Sequence, residues 1–129
     1  MKDSSGDLAH VTSWLRDFPA LTVFCGADVL AAEFAAAGGR AMITAGANLH
    51  PAELASILRG EDADANQAVV TAFRDLTAGV PRQAALKLLL HAVSGLPRSP
   101  VRPPLAELDS AQAARLVTDF EELTRRAHR

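Results

Sequence analysis

The side chain most suited to covalent chemistry is that of a lysine near the start of the sequence, within the segment K-D-S-S-G-D at residues 2–7. An amine attacks a carbonyl carbon only when it is unprotonated, and burial or a neighbouring positive charge favours that form. The residues that follow Lys2 are typical of a loop that leaves a strand and enters a helix. The residues alone leave two interpretations open: Lys2 belongs to a solvated tail, or it is a nucleophile held at the end of a strand.

Other kinds of reactive site find little support in the sequence. Its histidines are scattered without the spacing of metal ligands, and Cys25 is the single cysteine. Neither a glycine-rich phosphate loop nor a nucleophile elbow occurs. The sequence therefore predicts no metal site. The histidines concerned are His10, His50, His91 and His128.

Composition bounds the class of protein. With 129 residues, 49% hydrophobic and 22% charged, the chain has the size and balance of one soluble globular domain. Its net charge of −2 predicts no broad attraction to nucleic acid or anionic lipid. A lone cysteine cannot form an internal disulfide, and no apolar run approaches the roughly 20 residues of a membrane span. We expect no secretory signal and a cytoplasmic location.

The first part of the sequence alternates between helical and strand patterns. Residues 7–18 have one apolar face and a candidate cap at Asp7 or Ser5, which predicts an amphipathic helix. Two short apolar runs, at 21–25 and 41–45, read as buried strands, and helices are predicted after each of them. Short connections between such elements are typical of parallel βα units.

The second part is purely helical. Helices are predicted over about 65–76 and 81–93, a connector with four prolines follows at 95–105, and Asp109 with Gln112 predicts a capping box for a last helix. We therefore predict two regions, residues 1–60 with the βα units and residues 61–129 with three helices. Two parallel strands do not make a stable sheet, so the strands must pair with another chain or belong to a larger sheet.

Four segments in order resemble the dihydrodipicolinate synthase and N-acetylneuraminate lyase family. They are K-D-S-S-G-D at 2–7, F-C-G-A-D at 24–28, A-N-L-H-P at 47–51 and V-R-P-P-L at 101–105. The resemblance implies an α/β, helix-rich fold: the C-terminal portion of a (β/α)8 TIM barrel, with two parallel strands, about six helices and a C-terminal helical extension. Residues 1–60 then resemble the stretch from the end of strand six to helix eight, and residues 61–129 the extension.

The resemblance also implies roles for individual residues. Lys2 matches the lysine that forms a Schiff base with pyruvate or a related 2-oxo acid. Gly26 matches a position whose backbone lies against the substrate, although it is also explained as an ordinary turn glycine. Ile43 matches the residue beside the Schiff base, although without the family it reads simply as core. Asp28 and Asn48 are explained by local structure, as a residue of a helix N-terminus and a helix cap.

The function implied by the resemblance is that of an aldolase or lyase that makes or breaks a carbon–carbon bond without a cofactor. Its tyrosine proton relay has no counterpart, since the sequence contains no tyrosine. We therefore expect a truncated chain that is inactive alone, with Met1 internal to a longer protein. The partners expected are a 2-oxo acid and either further copies of the chain or a chain that supplies the missing strands. The alternative function is a non-catalytic helical module or a self-associating half-barrel.

Overall fold

The computed structural model describes residues 1–127 of the chain. It forms two compact units, Met1–Thr71 and Ala72–Arg129, and their boundary falls inside one helix. The elements along these residues are three short strands, β1 Lys2–Asp3, β2 Phe24–Cys25 and β3 Ala41–Met42, and six helices, α1 Leu8–Asp17, α2 Ala31–Ala36, α3 Pro51–Arg59, α4 Ala63–Leu76, α5 Arg82–Ser94 and α6 Ser110–Ala127.

The strands form one parallel sheet in the order β1-β2-β3. The two strands predicted from sequence are both present, and Lys2–Asp3 adds a third to the number predicted. Strands β2 and β3 are shorter than their apolar runs, because a strand extends only as far as a neighbouring backbone pairs with it. The amide of Phe24 donates to the carbonyl oxygen of Met1 at 2.8 Å, so pairing on that side begins there.

One face of the sheet is covered by α1 and α2. The buried side chains of Val11, Val23, Cys25 and Phe34 form a core cluster, and Met42 packs against it. Since side chains alternate across a strand, Cys25 and Met42 point to this covered face while their neighbours point to the other. Burial of this apolar face positions the three strands relative to the two helices.

Local signals explain where the helices of the first unit begin and end. Asp7 caps α1 as predicted, because its carboxylate accepts the amide proton of His10 at 3.1 Å. The predicted helix over residues 28–37 is instead a 3-10 turn at Asp28–Leu30 followed by α2. Helix α3 begins at Pro51 and ends at Gly60, whose φ of 77° suits glycine.

The second unit is helical. Helices α5 and α6 pack together, and the rings of Phe73 and Phe120 lie 5.1 Å apart. The predicted capping box is confirmed, since the amide of Gln112 donates to Asp109 at 2.7 Å and the amide of Asp109 donates back at 3.1 Å. The predicted connector at 95–105 is non-helical, and the non-helical stretch continues to residue 109. Residues 1–127 contain no helix with both the length and the apolar character needed to cross a membrane.

Candidate active site

Gly26 and Ile43 lie at the carboxyl edge of the sheet, and the side chain of Lys2, from the start of β1, reaches toward that edge beside Gly26. Lys2 is in β1, Gly26 directly follows β2, and Ile43 directly follows β3. The strand ends are joined by backbone hydrogen bonds: the Gly26 amide donates to the Asp3 carbonyl at 2.7 Å, and the Ile43 amide donates to the Cys25 carbonyl at 3.0 Å. Three residues selected from sequence segments far apart are thus brought to one edge, while their roles stay a prediction.

The same three residues also share one face of the sheet. In the register of the sheet, Lys2 pairs with Phe24 and Phe24 pairs with Ala41. Because side chains alternate between the two faces along a strand, Gly26 and Ile43, each two residues further on, lie on the same face as Lys2. Opposite them, Asp3, Cys25 and Met42 point toward α1 and α2. The Lys2 face is the more open one, and 49% of Ile43 is exposed. Ile43 is thus half exposed in this chain, and its role beside Lys2 stays a prediction.

Gly26 is required by close packing of the backbone. A Cβ atom at this position would lie 2.8 Å from the Asp3 carbonyl oxygen and 3.0 Å from Cε of Lys2, and would overlap Oγ of Ser4. The Lys2 side chain thus passes directly over Gly26. A turn glycine is usually required because its φ is positive, and Gly26 is not among the glycines with positive φ. Its missing side chain instead leaves room for Lys2 and for β1.

Replacing Gly26 by alanine is expected to lower the free energy of unfolding by about 1–3 kcal/mol. The added methyl group would overlap the Asp3 carbonyl oxygen, which moves only if β1 moves. Urea unfolding of the single variant and of a Gly26→Ala, Ser4→Ala double variant measures this. If removal of the Ser4 hydroxyl restored full stability, the conflict would lie with that side chain and not with β1.

The segment after Lys2 is fixed by the carboxylate of Asp3. Its Oδ1 accepts the amide proton of Ser5 at 2.8 Å and the Ser5 hydroxyl at 2.6 Å, and its Oδ2 lies 2.6 Å from Nδ1 of His10. Only 4% of this side chain is exposed. The hydrogen bonds from Ser5, with the nearby His10, hold the pKa of Asp3 below its usual value, against the opposing effect of burial.

Sequence reasoning missed these supporting residues. The hydroxyl of Ser4 lies next to Gly26, on the same side as the Lys2 side chain. The contact between Asp3 and His10 joins β1 to α1. Metal-ligand spacing alone does not distinguish His10 from the other three histidines of the sequence. The available signal was the pattern D-x-S-x-D-x-x-H at 3–10, which places a hydroxyl, a helix cap and an imidazole around one carboxylate.

A second polar cluster, defined by Asp28, Gly46 and His50, lies after β2 and β3. Asp28 and His50 are buried, and a Cβ atom on Gly46 would lie 2.6 Å from Nε2 of His50 and would overlap Oδ2 of Asp28. Asn48 donates to the Ala45 carbonyl at 3.0 Å, which confirms its local bonding. It does not cap α3, whose N-cap residue is His50.

The protein is expected to lose stability as the pH falls below the ordinary His50 pKa of 6.5. Burial lowers the pKa of His50, and the carboxylates of Asp28 and Glu53 only partly offset this. The unfolded chain then binds a proton before the native state does, so the contribution is full above 6.5 and is lost as the pH falls through the lower native value. Urea midpoints at pH values between about 7.5 and about 5 measure it.

His50→Asn is expected to flatten this pH dependence even if it lowers stability at every pH, because asparagine does not titrate. His91→Asn is the matched control, since His91 is exposed on α5. An unchanged slope in the His50 variant would show that another group titrates.

Among the described residues, no group of three or more histidine, cysteine, aspartate or glutamate side chains is placed to hold a metal ion.

Comparison with known proteins identifies relatives of the chain. The model of the dihydrodipicolinate synthetase family matches residues 1–123. An uncharacterized DapA-like lyase from Chloroflexus aurantiacus is 34% identical over 127 residues, which cover 95% of this chain and 42% of the relative. A 4-hydroxy-tetrahydrodipicolinate synthase from Wolbachia pipientis is 31% identical, covering 96% of this chain and 45% of the relative.

The fold has clear counterparts among solved structures. A Sulfolobus 2-keto-3-deoxygluconate aldolase superposes with a TM-score of 0.87 at 21% identity, over 97% of this chain and 45% of the aldolase. The chain spans about half the length of the relatives it matches. These matches confirm the predicted fold class, a helix-rich α/β chain that forms the C-terminal portion of a (β/α)8 barrel. The relatives are lyases, synthases and aldolases, and the chain belongs to the dihydrodipicolinate synthetase family.

Proposed function

We propose that Lys2 forms a Schiff base with pyruvate or a related 2-oxo acid, as one step of an aldolase or lyase reaction. The observation that carries this proposal is the placement of Lys2, which begins β1 and whose side chain passes over Gly26 toward the carboxyl edge of the sheet. Catalytic groups in barrels of this kind lie at that edge. Family membership supports the same reaction type and does not favour the alternative of a non-catalytic helical module.

The proposed chemistry uses the amine of Lys2 as the nucleophile. The unprotonated nitrogen attacks the ketone carbon of the 2-oxo acid, and loss of water from the resulting carbinolamine leaves an imine. The protonated imine withdraws electrons from the adjacent carbon, so that loss of a proton, or cleavage of a carbon–carbon bond, leaves an enamine. Addition of that enamine to an aldehyde forms the carbon–carbon bond, and water then releases the product and the free amine.

Gly26 and Ile43 would form the walls of the substrate site. Gly26 has no side chain to compete with the substrate beside Lys2, whose Cε lies 3.0 Å from the position of a Cβ atom at residue 26. Ile43 is half exposed at the end of β3 and offers an apolar surface on the same face. We propose that both contact the substrate and that neither takes part in proton transfer.

Turnover requires groups beyond those of this sequence. Three strands do not close a barrel, and the sequence contains no tyrosine to relay protons. We therefore propose that the chain alone is inactive in carbon–carbon bond formation or cleavage and acts with the remaining strands of a barrel, from a longer polypeptide, a partner chain or further copies in an oligomer. We also propose a cytoplasmic protein that needs neither metal nor organic cofactor, and the unpaired Cys25 fits a reducing compartment.

The test is reductive trapping of the imine. The full chain is incubated with pyruvate and sodium borohydride, which reduces the carbon–nitrogen double bond to a stable secondary amine. Peptide mass mapping then locates the adduct. We expect it on the peptide that contains Lys2, and an unmodified chain at saturating pyruvate would contradict the proposal for this chain.

A further inference from the structure

A closed ring of hydrogen bonds joins the strand that carries Lys2 to the first turn of α1. Asp3 accepts two hydrogen bonds from Ser5, and the Ser5 hydroxyl accepts the amide proton of Asp7 at 3.2 Å. Asp7 in turn accepts the amide proton of His10 at 3.1 Å. His10 closes the ring, since its Nδ1 lies 2.6 Å from Oδ2 of Asp3. We call these four residues the Asp3 ring.

His10 is the member that ties the ring to a rigid element. Ser5 and Asp7 belong to the same short turn as Asp3, whereas His10 lies inside α1 and its ring meets that of Trp14 edge-on at 5.8 Å. Trp14 packs against the core cluster of the first unit. The position of the imidazole is thus set by the packing of α1, and it transmits that position to Asp3.

Asp3 is directly coupled to Lys2 through the backbone of β1. The two residues are consecutive, so their side chains point to opposite faces of the sheet. The Asp3 carbonyl also accepts the Gly26 amide proton at 2.7 Å. With its side chain held from the α1 side and its carbonyl held from the β2 side, Asp3 fixes the rotation of β1 about its own axis. That rotation determines where the amine of Lys2 points.

We infer that His10 is a positioning residue for Lys2: through Asp3 it holds β1 in the orientation that directs the lysine amine across Gly26. The inference rests on the proposed function of Lys2 and adds a residue to it. His10 does not touch the substrate, because it lies on the opposite side of the sheet from Lys2. Without its donor, Oδ2 of the buried Asp3 carboxylate would lose the partner that the ring supplies, and β1 would keep its pairing with β2 but lose one restraint on its rotation.

The experiment compares His10→Ala, His10→Asn and the control His91→Ala in the full chain. The asparagine amide can donate to Asp3 from nearly the position of Nδ1, so it should restore the ring, whereas alanine cannot. His91 is a matched control because its Nδ1 also lies near an oxygen, the Leu96 carbonyl at 2.5 Å, but in the second unit. Far-ultraviolet circular dichroism verifies that each variant is folded.

The first readout is the rate of borohydride trapping on Lys2 as a function of pyruvate concentration. We expect His10→Ala to lower the rate at saturating pyruvate about tenfold, since misplacement of a reacting group by a fraction of an ångström has effects of this size. The half-saturating concentration should change little, because His10 makes no contact with pyruvate. His10→Asn should recover most of the rate, and His91→Ala should equal the parent chain.

The second readout does not depend on catalysis. Reductive methylation with 13C-formaldehyde labels the N-terminal amine of Met1 and the amines of Lys2 and Lys87, the two lysines of the chain, and NMR then reports the surroundings of each. We expect the Lys2 methyl signal to shift in His10→Ala and to return in His10→Asn, while the Lys87 signal stays constant. A Lys2 signal that is identical in the parent and in His10→Ala would overturn the positioning role. If the signal shifts but no variant traps pyruvate, the positioning role stands and the proposed function fails.

Discussion

Replacing Lys2 by alanine is expected to abolish the adduct that borohydride forms in the presence of pyruvate. Lys2 and Lys87 are the two lysines of the sequence, and they differ in their surroundings. Lys87 lies on α5 in the second unit, where its amine donates to the Pro100 carbonyl at 2.6 Å. Lys2 lies over Gly26 at the carboxyl edge of a parallel sheet, where we propose that the 2-oxo acid binds. We therefore expect trapping to be lost completely and not merely reduced.

Lys87→Arg provides the matched control, because it removes the other lysine while keeping the charge that binds the Pro100 carbonyl. This variant should form as much adduct as the parent chain. The N-terminal amine of Met1 is a third amine, and it donates to the Thr22 carbonyl at 2.7 Å. Because Met1 and Lys2 fall on the same peptide, fragment ions are needed to distinguish an adduct on Met1 from an adduct on Lys2. An adduct that persists in Lys2→Ala, on Met1 or on Lys87, would contradict the assignment of Lys2 as the nucleophile.

Trapping and carbon–carbon bond chemistry are separable in this chain. Formation of the imine needs an amine, a ketone and a proton source that water can supply. Reaction of the enamine needs a general acid or base placed at the substrate, and the sequence has no tyrosine for that role. A chain that traps pyruvate but does not condense it with an aldehyde would therefore agree with a site completed by further strands.

Much of this architecture is visible in the sequence because local rules and tertiary packing agree. Asp7 caps α1, Gly60 ends α3, and Asp109 with Gln112 begins α6, each through a contact between neighbours in the chain. The parallel arrangement also follows from the sequence, since short apolar strands that alternate with helices have few other ways to pack. These features depend on residues close together in the chain, which is why pattern reading finds them.

The limits of sequence reading fall where distant residues meet. The strand at Lys2–Asp3 has too few residues to show a period and forms because β2 offers its backbone. Ile43 has the composition of a core residue but is half exposed, because its exposure depends on what faces the end of β3. The contact between His10 and Asp3 crosses from a helix to a strand, so only a pattern that spans both elements, D-x-S-x-D-x-x-H at 3–10, can indicate it.

Replacing Phe34 by alanine is expected to lower the free energy of unfolding by about 3–5 kcal/mol, the usual cost of removing a fully buried aromatic side chain. Phe34 has 0% exposure and packs with Val11 of α1 and Cys25 of β2. A Cβ atom on Gly39 would overlap its ring, so the surrounding chain already lies against it. The loss is a large share of the roughly 5–15 kcal/mol that stabilises a typical domain. Urea unfolding measures it.

Phe18→Ala removes the same atoms from a residue that is 52% exposed, and should cost only about 1 kcal/mol, through the lost contact with Trp14. Equal losses in the two variants would show that Phe34 is not the centre of this core. The Phe34 cluster is also the one against which Trp14 of α1 packs, so the folded fraction of Phe34→Ala should trap pyruvate more slowly than the parent chain. A parental rate in the folded protein would mean that the position of the lysine amine does not depend on the packing of α1.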